Sequence, residues 1–404
     1  MPLPSSVRSY SIRPLVSSLY DELVRIRRTI HRHPELGMRE ERTSALVAGE
    51  LEKLGLDVAR GVGGTGVVGL LFSTRPDKKE GTLLLRADMD GLPIQEENPG
   101  IDYASEVPGV MHACGHDGHT AILLGTAMAA AAMRNRLPGD LKFVFQPAEE
   151  GPGGAMPMID GGVLEDPKVT AAVGLHLDTD EAVGTVGLRP GPMMAAADEF
   201  ELLVTGRGGH GAYPHQTVDA IVVGAHIVTA LQTLVSRNTD PTAAAVVTVG
   251  IFEGGHNFNI IAERVRMKGT VRTFDPSLRE RLKQRVGEVS ETVARAMGAK
   301  CEMIYRDGYP PVVNDEGMTA LLRSTVSGLL GEGAVSADLM SMGGEDMSYF
   351  LERVPGVFFF LGGRNEEKGL VHPHHSPRFD FDEAAMPLGV EIFLRFIEAH
   401  FQRD

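Results

Sequence analysis

The hydrophobic pattern switches period several times along the chain, and each switch marks an element. Leu19, Leu23, Ile26 and Ile30 recur at helical spacing among charges, predicting a helix over 17–33 that Pro34 ends. A second helix is predicted over 40–55, closed by Gly55. Short apolar runs of strand length follow at Gly66–Phe72 and Thr82–Arg86. They lead to an Ala/Leu/Met-rich helix at about 119–134, a strand at Leu141–Phe145, a loop with a short helix to about 163, and a strand at Thr170–Leu175. Strands separated by helices imply a largely parallel sheet covered on both faces.

Beyond residue 190 the order changes. Strand Phe200–Thr205, helix Val218–Ser236, strands Ala243–Phe252 and Val265–Phe274, helix 276–297 and strand Cys301–Tyr305 form a β-α-β-β-α-β series, the ferredoxin-like signature. A β/α pattern then returns with a helix near 316–331, a strand Val357–Leu361 and a helix near 384–400. The expected fold class is therefore α/β: a mostly parallel-sheet domain (1–190 and 306–404) with an inserted ferredoxin-like α+β domain (191–305). A chain of 404 residues exceeds what one core usually supports, which agrees with two domains.

Charge and cysteine content narrow the function classes. The formal net charge is −15 with no long Lys/Arg run, which argues against nucleic acid and anionic membranes as partners. Two cysteines, Cys114 and Cys301, make no disulfide framework and no CxxC pair. No apolar run suits a signal-peptide core or a membrane span, so the expected location is cytoplasmic.

Candidate chemistry gathers just after the predicted strands. Asp88 and Asp90 (RADMDGLP), Glu149 and Glu150 (FQPAEEG) and His176 (GLHLD) each follow a different strand. In an open parallel sheet, ligands bind outside the carboxyl ends of the strands, so these groups converge on one edge. MHACGHDGH (111–119) adds His112, Cys114, His116, Asp117 and His119, and HPHHSPRFD (372–380) adds three more histidines. Mixed Cys, His and carboxylate donors suit Zn²⁺ and similar divalent ions, and the supply exceeds the four ligands of a closed structural site. Neighbouring glutamates in a turning segment point different ways, so one can hold an ion while the other serves as a base.

These segments, together with RRTIHRHPELGMRE, GRGGHGAYPH, GTVRTF and GGEDMSYF, resemble the M20 metallopeptidase family in order from about residue 20 to 400. The amidohydrolase subfamily, which includes hippurate hydrolases, N-acyl-amino-acid amidohydrolases and auxin-conjugate hydrolases, is the branch most similar. The resemblance implies two divalent ions per subunit (Zn, Mn, Co or Ni) held by Cys114, His116, Glu150, His176 and His375, with Glu149 as the catalytic base. It further implies that the inserted domain is a lid and dimerisation domain, that the protein is a homodimer or homotetramer, and that His210 reaches the partner subunit's site. Asn259 resembles a substrate-contacting asparagine, and the substrate is a small N-acylated amino acid. Other branches of the superfamily carry HxD where this chain has DMD, so Asp88 and Asp90, with Asp117, are expected to orient the Cys114–His116 loop rather than to bind ions.

Plainer readings compete. Cys114 suits a buried structural thiol, His119 a support residue at a helix start, and His31 and His33 packed or surface histidines. Spacing alone does not separate His372, His374 and His375; only the family register favours His375. A cysteine hydrolase built on Cys114, a non-catalytic metal-binding protein, and a carboxypeptidase or dipeptidase with the same chemistry are the rival functions.

Overall fold

The structure, a computed structural model, describes residues 3–337 and 339–402. Contacts between chain segments divide it into two compact units, Met1–Gly191 with Val313–Leu339 and Tyr349–Asp404, and Pro192–Val312 with Met340–Ser348.

The larger unit is built on an eight-stranded sheet, counted among the described residues. Its strand order is Asp57–Val62, Gly66–Leu71, Asp140–Gln146, Thr82–Asp88, Val169–Ala182, Gly356–Arg364, Val186–Gly187 and Val335–Ser336. The four central strands pair in parallel, while the first two join antiparallel. Thr82–Asp88 is buried at every position, as expected where helices cover both faces of a sheet. Its neighbours are Asp140–Gln146 on one side and Val169–Ala182 on the other. The chain therefore reverses its direction of travel across the sheet there, and this kind of switch point opens a crevice at the carboxyl ends of the strands.

Helix His116–Ala132 is buried along almost its whole length, because its Ala/Leu-rich surface is apolar on all sides. It packs against Tyr20–Arg32, Ala385–Phe401 and the sheet. Gly115, at φ 90°, precedes it in the left-handed region that favours glycine, so the chain turns sharply between Cys114 and His116. Gly118 allows a second close approach: a Cβ there would lie 2.5 Å from both Leu177 and Phe381.

The smaller unit carries an antiparallel sheet in the order Ala245–Gly254, Arg264–Thr273, Ala196–Thr205, Lys300–Tyr309, backed by helices Ala220–Ser236 and Pro276–Ala296. This is the strand order of the ferredoxin-like series read from the sequence. Besides several short elements that the pattern did not predict, three longer strands differ from the expectation. Strand Asp57–Val62 was not expected, because its positions are largely exposed and carry no apolar run. Lys300–Tyr309 runs past the expected boundary at 306. Val169–Ala182 extends well beyond Leu175, so His176 lies within a strand and not after one. Register explains why it still reaches the crevice: Arg86 pairs with Gly174, which sets His176 level with Asp88 at the end of the neighbouring strand.

Among the described residues no helix is long and apolar enough to cross a membrane.

Candidate metal centre

Four separate segments of the larger unit bring donors together. The tight turn at Gly115 presents Cys114 and His116, the turn after Asp140–Gln146 presents Glu149 and Glu150, the strand Val169–Ala182 presents His176, and the loop before Phe379 presents His375. Donor atoms of Cys114, His116 and His176 lie within 4.8 Å of one another, and so do those of Cys114, Glu150 and His375. Cys114 belongs to both triads, the arrangement expected of a thiolate shared between two ions. His116, Glu149 and Glu150 form a further group on the same scale.

Hydrogen bonds fix the orientation of each donor. His176 donates Nδ1–H to the Leu177 carbonyl at 2.6 Å, which leaves Nε2 as a lone-pair atom 3.4 Å from Cys114 Sγ. Asp90 Oδ1 stands 3.2 Å from His116 Nδ1 and turns the ring so that Nε2 faces Glu149 Oε2 at 4.0 Å. His116 Nε2 is buried and has no hydrogen-bond partner. A buried polar atom without a partner costs about 1–3 kcal/mol, so it marks a place where a ligand completes the site. The same Asp90 accepts the backbone N–H groups of Glu149 and Glu150, each at 3.0 Å. Ala148, at φ 55°, precedes them, and its N–H donates to Glu40 Oε1 at 2.8 Å. His375, at φ 63°, donates its backbone N–H to the Ala113 carbonyl at 2.8 Å and sets Nε2 2.9 Å from Glu150 Oε1.

Electrostatics differ among the donors. Burial pushes the Cys114 thiol well above its ordinary pKa, and Glu150 and Glu149 add to the rise. Burial opposes charge on His116, but Asp88, Asp90 and Glu150 outweigh it and push its pKa up to about 10. His176 is held well below the usual range by burial and by His119 and His374. Burial raises Glu150, yet its hydrogen bond with His375 and the charge of His116 leave it below the usual carboxylate value. Soft sulfur, imidazole and carboxylate donors converging on a buried pocket fit divalent transition ions.

Of the remaining nominated residues, Asp88 and His119 form a further donor group with His116 on the same scale, and the others lie beside the centre or away from it. Asp88 pairs with Arg86 at 2.7 Å and with His119 Nδ1 at 2.6 Å. His119 Nε2 accepts the Leu177 N–H at 2.8 Å, so both of its ring nitrogens are engaged and it braces the strand that carries His176. His112 is buried with neither ring nitrogen hydrogen-bonded, and burial drives its pKa down to about 3; it belongs to none of the donor groups. His374 Nδ1 lies 3.8 Å from Cys114 Sγ, and its ring meets that of His176 at 5.0 Å, so His374 and His375 both border the centre. Asp117 faces away into a buried ion network with Arg27 (2.7 Å) and His31 (2.8 Å).

His210 and Asn259 lie in the smaller unit. His210 ends a short strand and Asn259 lies in the turn just before the strand paired with it, where Gly211 donates its N–H to the Asn259 carbonyl at 2.8 Å and His210 pairs with Ile260; both side chains are exposed.

Two supporting residues escaped the sequence reading. Glu40 anchors the turn that carries Glu149, receiving the Thr65 hydroxyl as well as the Ala148 N–H. Arg27 is fully buried, and its signal was its place between Leu23 and His31 at four-residue spacing, on the buried side of an amphipathic helix.

The profile of peptidase family M20/M25/M40 matches residues 84–399. An N-acyl-L-amino acid amidohydrolase of Geobacillus stearothermophilus is 44% identical over 309 residues, 76% of this chain and 82% of that protein. Thermostable carboxypeptidase 1 of Saccharolobus solfataricus is 40% identical over 93% of this chain and 94% of its own length. A solved Bacillus subtilis structure, described as a dinuclear metal binding peptidase from the M20 family, superposes with a TM-score of 0.80 at 32% identity, covering 94% of this chain and 98% of that one. With a profile match across most of its length and relatives of this similarity, the chain belongs to peptidase family M20/M25/M40.

Proposed function

We propose that this metal-dependent amidohydrolase cleaves the amide bond of N-acyl-L-amino acids, such as N-acetyl or N-benzoyl derivatives, with Glu149 as general base. The observation that carries the reading is the pair of donor triads sharing Cys114, with Glu149 held beside them by Asp90. Cys114, His116, Glu150, His176 and His375 would hold two divalent ions, with Zn²⁺, Mn²⁺, Co²⁺ and Ni²⁺ all suited to the donor set. Ions bound there would polarise the scissile carbonyl and acidify a water.

The rest of the chemistry belongs to side chains. Glu149 takes a proton from the attacking water and returns it to the nitrogen as the C–N bond breaks, and the remaining hydroxyl proton of the new acid passes to the amine, so the products are a carboxylate and an ammonium group. His210, supplied from a partner copy in a homodimer or homotetramer, would donate to the carbonyl oxygen as negative charge develops on it. Asn259, in the turn before the neighbouring strand, would contact substrate. Asp88, Asp90 and Asp117 would keep the ligands oriented without contacting ions. The cytoplasm, where thiols stay reduced, is the compartment in which an unmodified Cys114 would serve as a ligand.

A second reading keeps the mechanism and shifts the substrate to the C-terminal residue of short peptides, favoured by the similarity to a thermostable carboxypeptidase. The deciding experiment strips the protein with chelator, restores each ion singly, and assays N-acetyl-, N-benzoyl- and indoleacyl-amino acids beside dipeptides. Release of free amino acid from the acylated set at rates well above those for peptides supports the proposal. Preferred turnover of peptides supports the second reading, and no turnover with any ion would overturn both.

A further inference from the structure

Arg27 sits mid-helix in Tyr20–Arg32, far in sequence from every donor, yet its guanidinium is fully buried. Three of its nitrogens meet three carboxylates: Nε with Asp117 Oδ2 at 2.7 Å, Nη2 with Asp380 Oδ1 at 2.6 Å, and Nη1 with Glu383 Oε1 at 3.3 Å. The rings of Tyr103 and Phe381 each lie 4.6 Å from its central carbon, and the Tyr103 hydroxyl donates to the other oxygen of Asp380 at 2.7 Å. Asp117 directly follows His116, and Asp380 follows His375 by five residues. The fork therefore joins the two chain segments that carry Cys114 and His116 on one side and His375 on the other.

We propose that Arg27 is a positioning residue for the metal centre, clamping the Cys114–Asp117 turn to the His375–Asp380 loop so that the donors of the two segments keep a common spacing. The inference rests on the metal-binding reading above. A direct tie between the segments is already present, the hydrogen bond from His375 N–H to the Ala113 carbonyl at 2.8 Å. That bond and the longer contact of His374 Nδ1 with Cys114 Sγ at 3.8 Å both lie at residues 113–114 and 374–375, so the segments can still pivot there, and a further attachment through Arg27 removes that freedom.

The chemistry of the clamp also points to geometry. A buried cation among carboxylates gains little stability over well-packed apolar side chains, because desolvation offsets much of the attraction. A planar guanidinium, however, fixes several hydrogen-bond directions at once, which an ammonium cannot do. Phe381 extends the connection: it stacks on Arg27 and would meet any Cβ at Gly118, so it occupies the space between the loop after His375 and the first turn of the helix that His116 begins.

The test uses the full chain and four variants, Arg27→Lys, Asp380→Asn, Cys114→Ser and Arg279→Lys. Zn²⁺ affinity is read by competition with a chromophoric chelator, Co²⁺ geometry by visible and thiolate-to-metal absorption, and folding by circular dichroism and thermal midpoint in chelator. Arg27→Lys and Asp380→Asn are expected to weaken Zn²⁺ binding by about 10–100-fold and to shift the Co²⁺ bands while the chain stays folded. Arg279→Lys disturbs a comparable pair with Asp198 (2.6 Å) in the smaller unit, and should lower the midpoint without moving affinity or bands. Wild-type affinity and unchanged bands in Arg27→Lys and Asp380→Asn, with Cys114→Ser impaired, would overturn the clamp alone. Unimpaired binding in Cys114→Ser would instead overturn the metal-binding reading beneath it. Should Arg27→Lys fail to fold, Asp380→Asn, a near-isosteric change, decides the question.

Discussion

The carboxylate of Asp90 and the imidazole of His116 meet at 3.2 Å, and the same carboxylate receives the backbone N–H groups of both Glu149 and Glu150. One side chain thus orients a donor ring and shapes the turn that carries both glutamates. Asp90→Asn keeps the volume but places an amide where three donors converge, so at least one N–H loses its acceptor. Ion affinity is expected to fall about 10–100-fold, with activity at limiting metal falling in step, as measured by chelator competition and by assay across a metal series.

Glu149→Gln separates the base from the ligands. The variant retains hydrogen-bonding shape but cannot carry the proton. Turnover should fall by roughly 10²–10⁴-fold, with Zn²⁺ content by atomic absorption unchanged. Full activity in this variant would remove Glu149 from the mechanism, and lost zinc would make it a ligand instead.

Metal binding should be coupled to pH, with affinity rising as pH rises. In the ion-free chain, burial and the neighbouring glutamates keep Cys114 protonated, Asp88, Asp90 and Glu150 hold His116 up to about 10, and Glu150 raises His375. Each must lose a proton before it can ligate, so an incoming ion displaces protons near neutral pH and fewer as the solution becomes alkaline. Titration of Zn²⁺ into weakly buffered protein should release protons at pH 7. An affinity flat across pH 6–9 would contradict this protonation pattern.

Gly118→Ala tests packing at the helix start. Alanine in a helix ordinarily gains up to about 1 kcal/mol over glycine. Here the new methyl would sit 2.5 Å from Leu177 and Phe381, both buried, and overpacking of this kind costs about 1–3 kcal/mol. The variant should melt below wild type, against the helix-propensity expectation, and a scan in the presence of chelator would show it.

Much of this architecture was legible in the residues. The strands Thr82–Asp88, Asp140–Gln146 and Gly356–Arg364 are buried on both faces, so their apolar runs were continuous enough to read. Val169–Ala182 was read short because His176, Asp178 and Thr179 interrupt the apolar run, although they too are buried. Asp57–Val62 was missed for the opposite reason, being an edge strand held by backbone pairing with little burial. Glu150 and His176 stood out because they followed predicted strands, Cys114 and His116 because the MHACGHDGH segment is dense in donors, and His375 only through the family register. Arg27 did not, because a charged residue on an amphipathic helix usually faces water, and only tertiary structure reveals the carboxylates around it.

The donors of the two triads run from residue 114 to residue 375, yet they close on one small volume. A nascent chain that has emerged only as far as the smaller unit holds Cys114, His116, Glu150 and His176 but lacks His375. With the proposed ligand set, full metallation would be a late event in biogenesis, a chemical signal that the final strand and helix have docked. Ions held there would cross-link distant segments of the polypeptide, and would slow local opening and proteolytic attack increasingly as free metal rises.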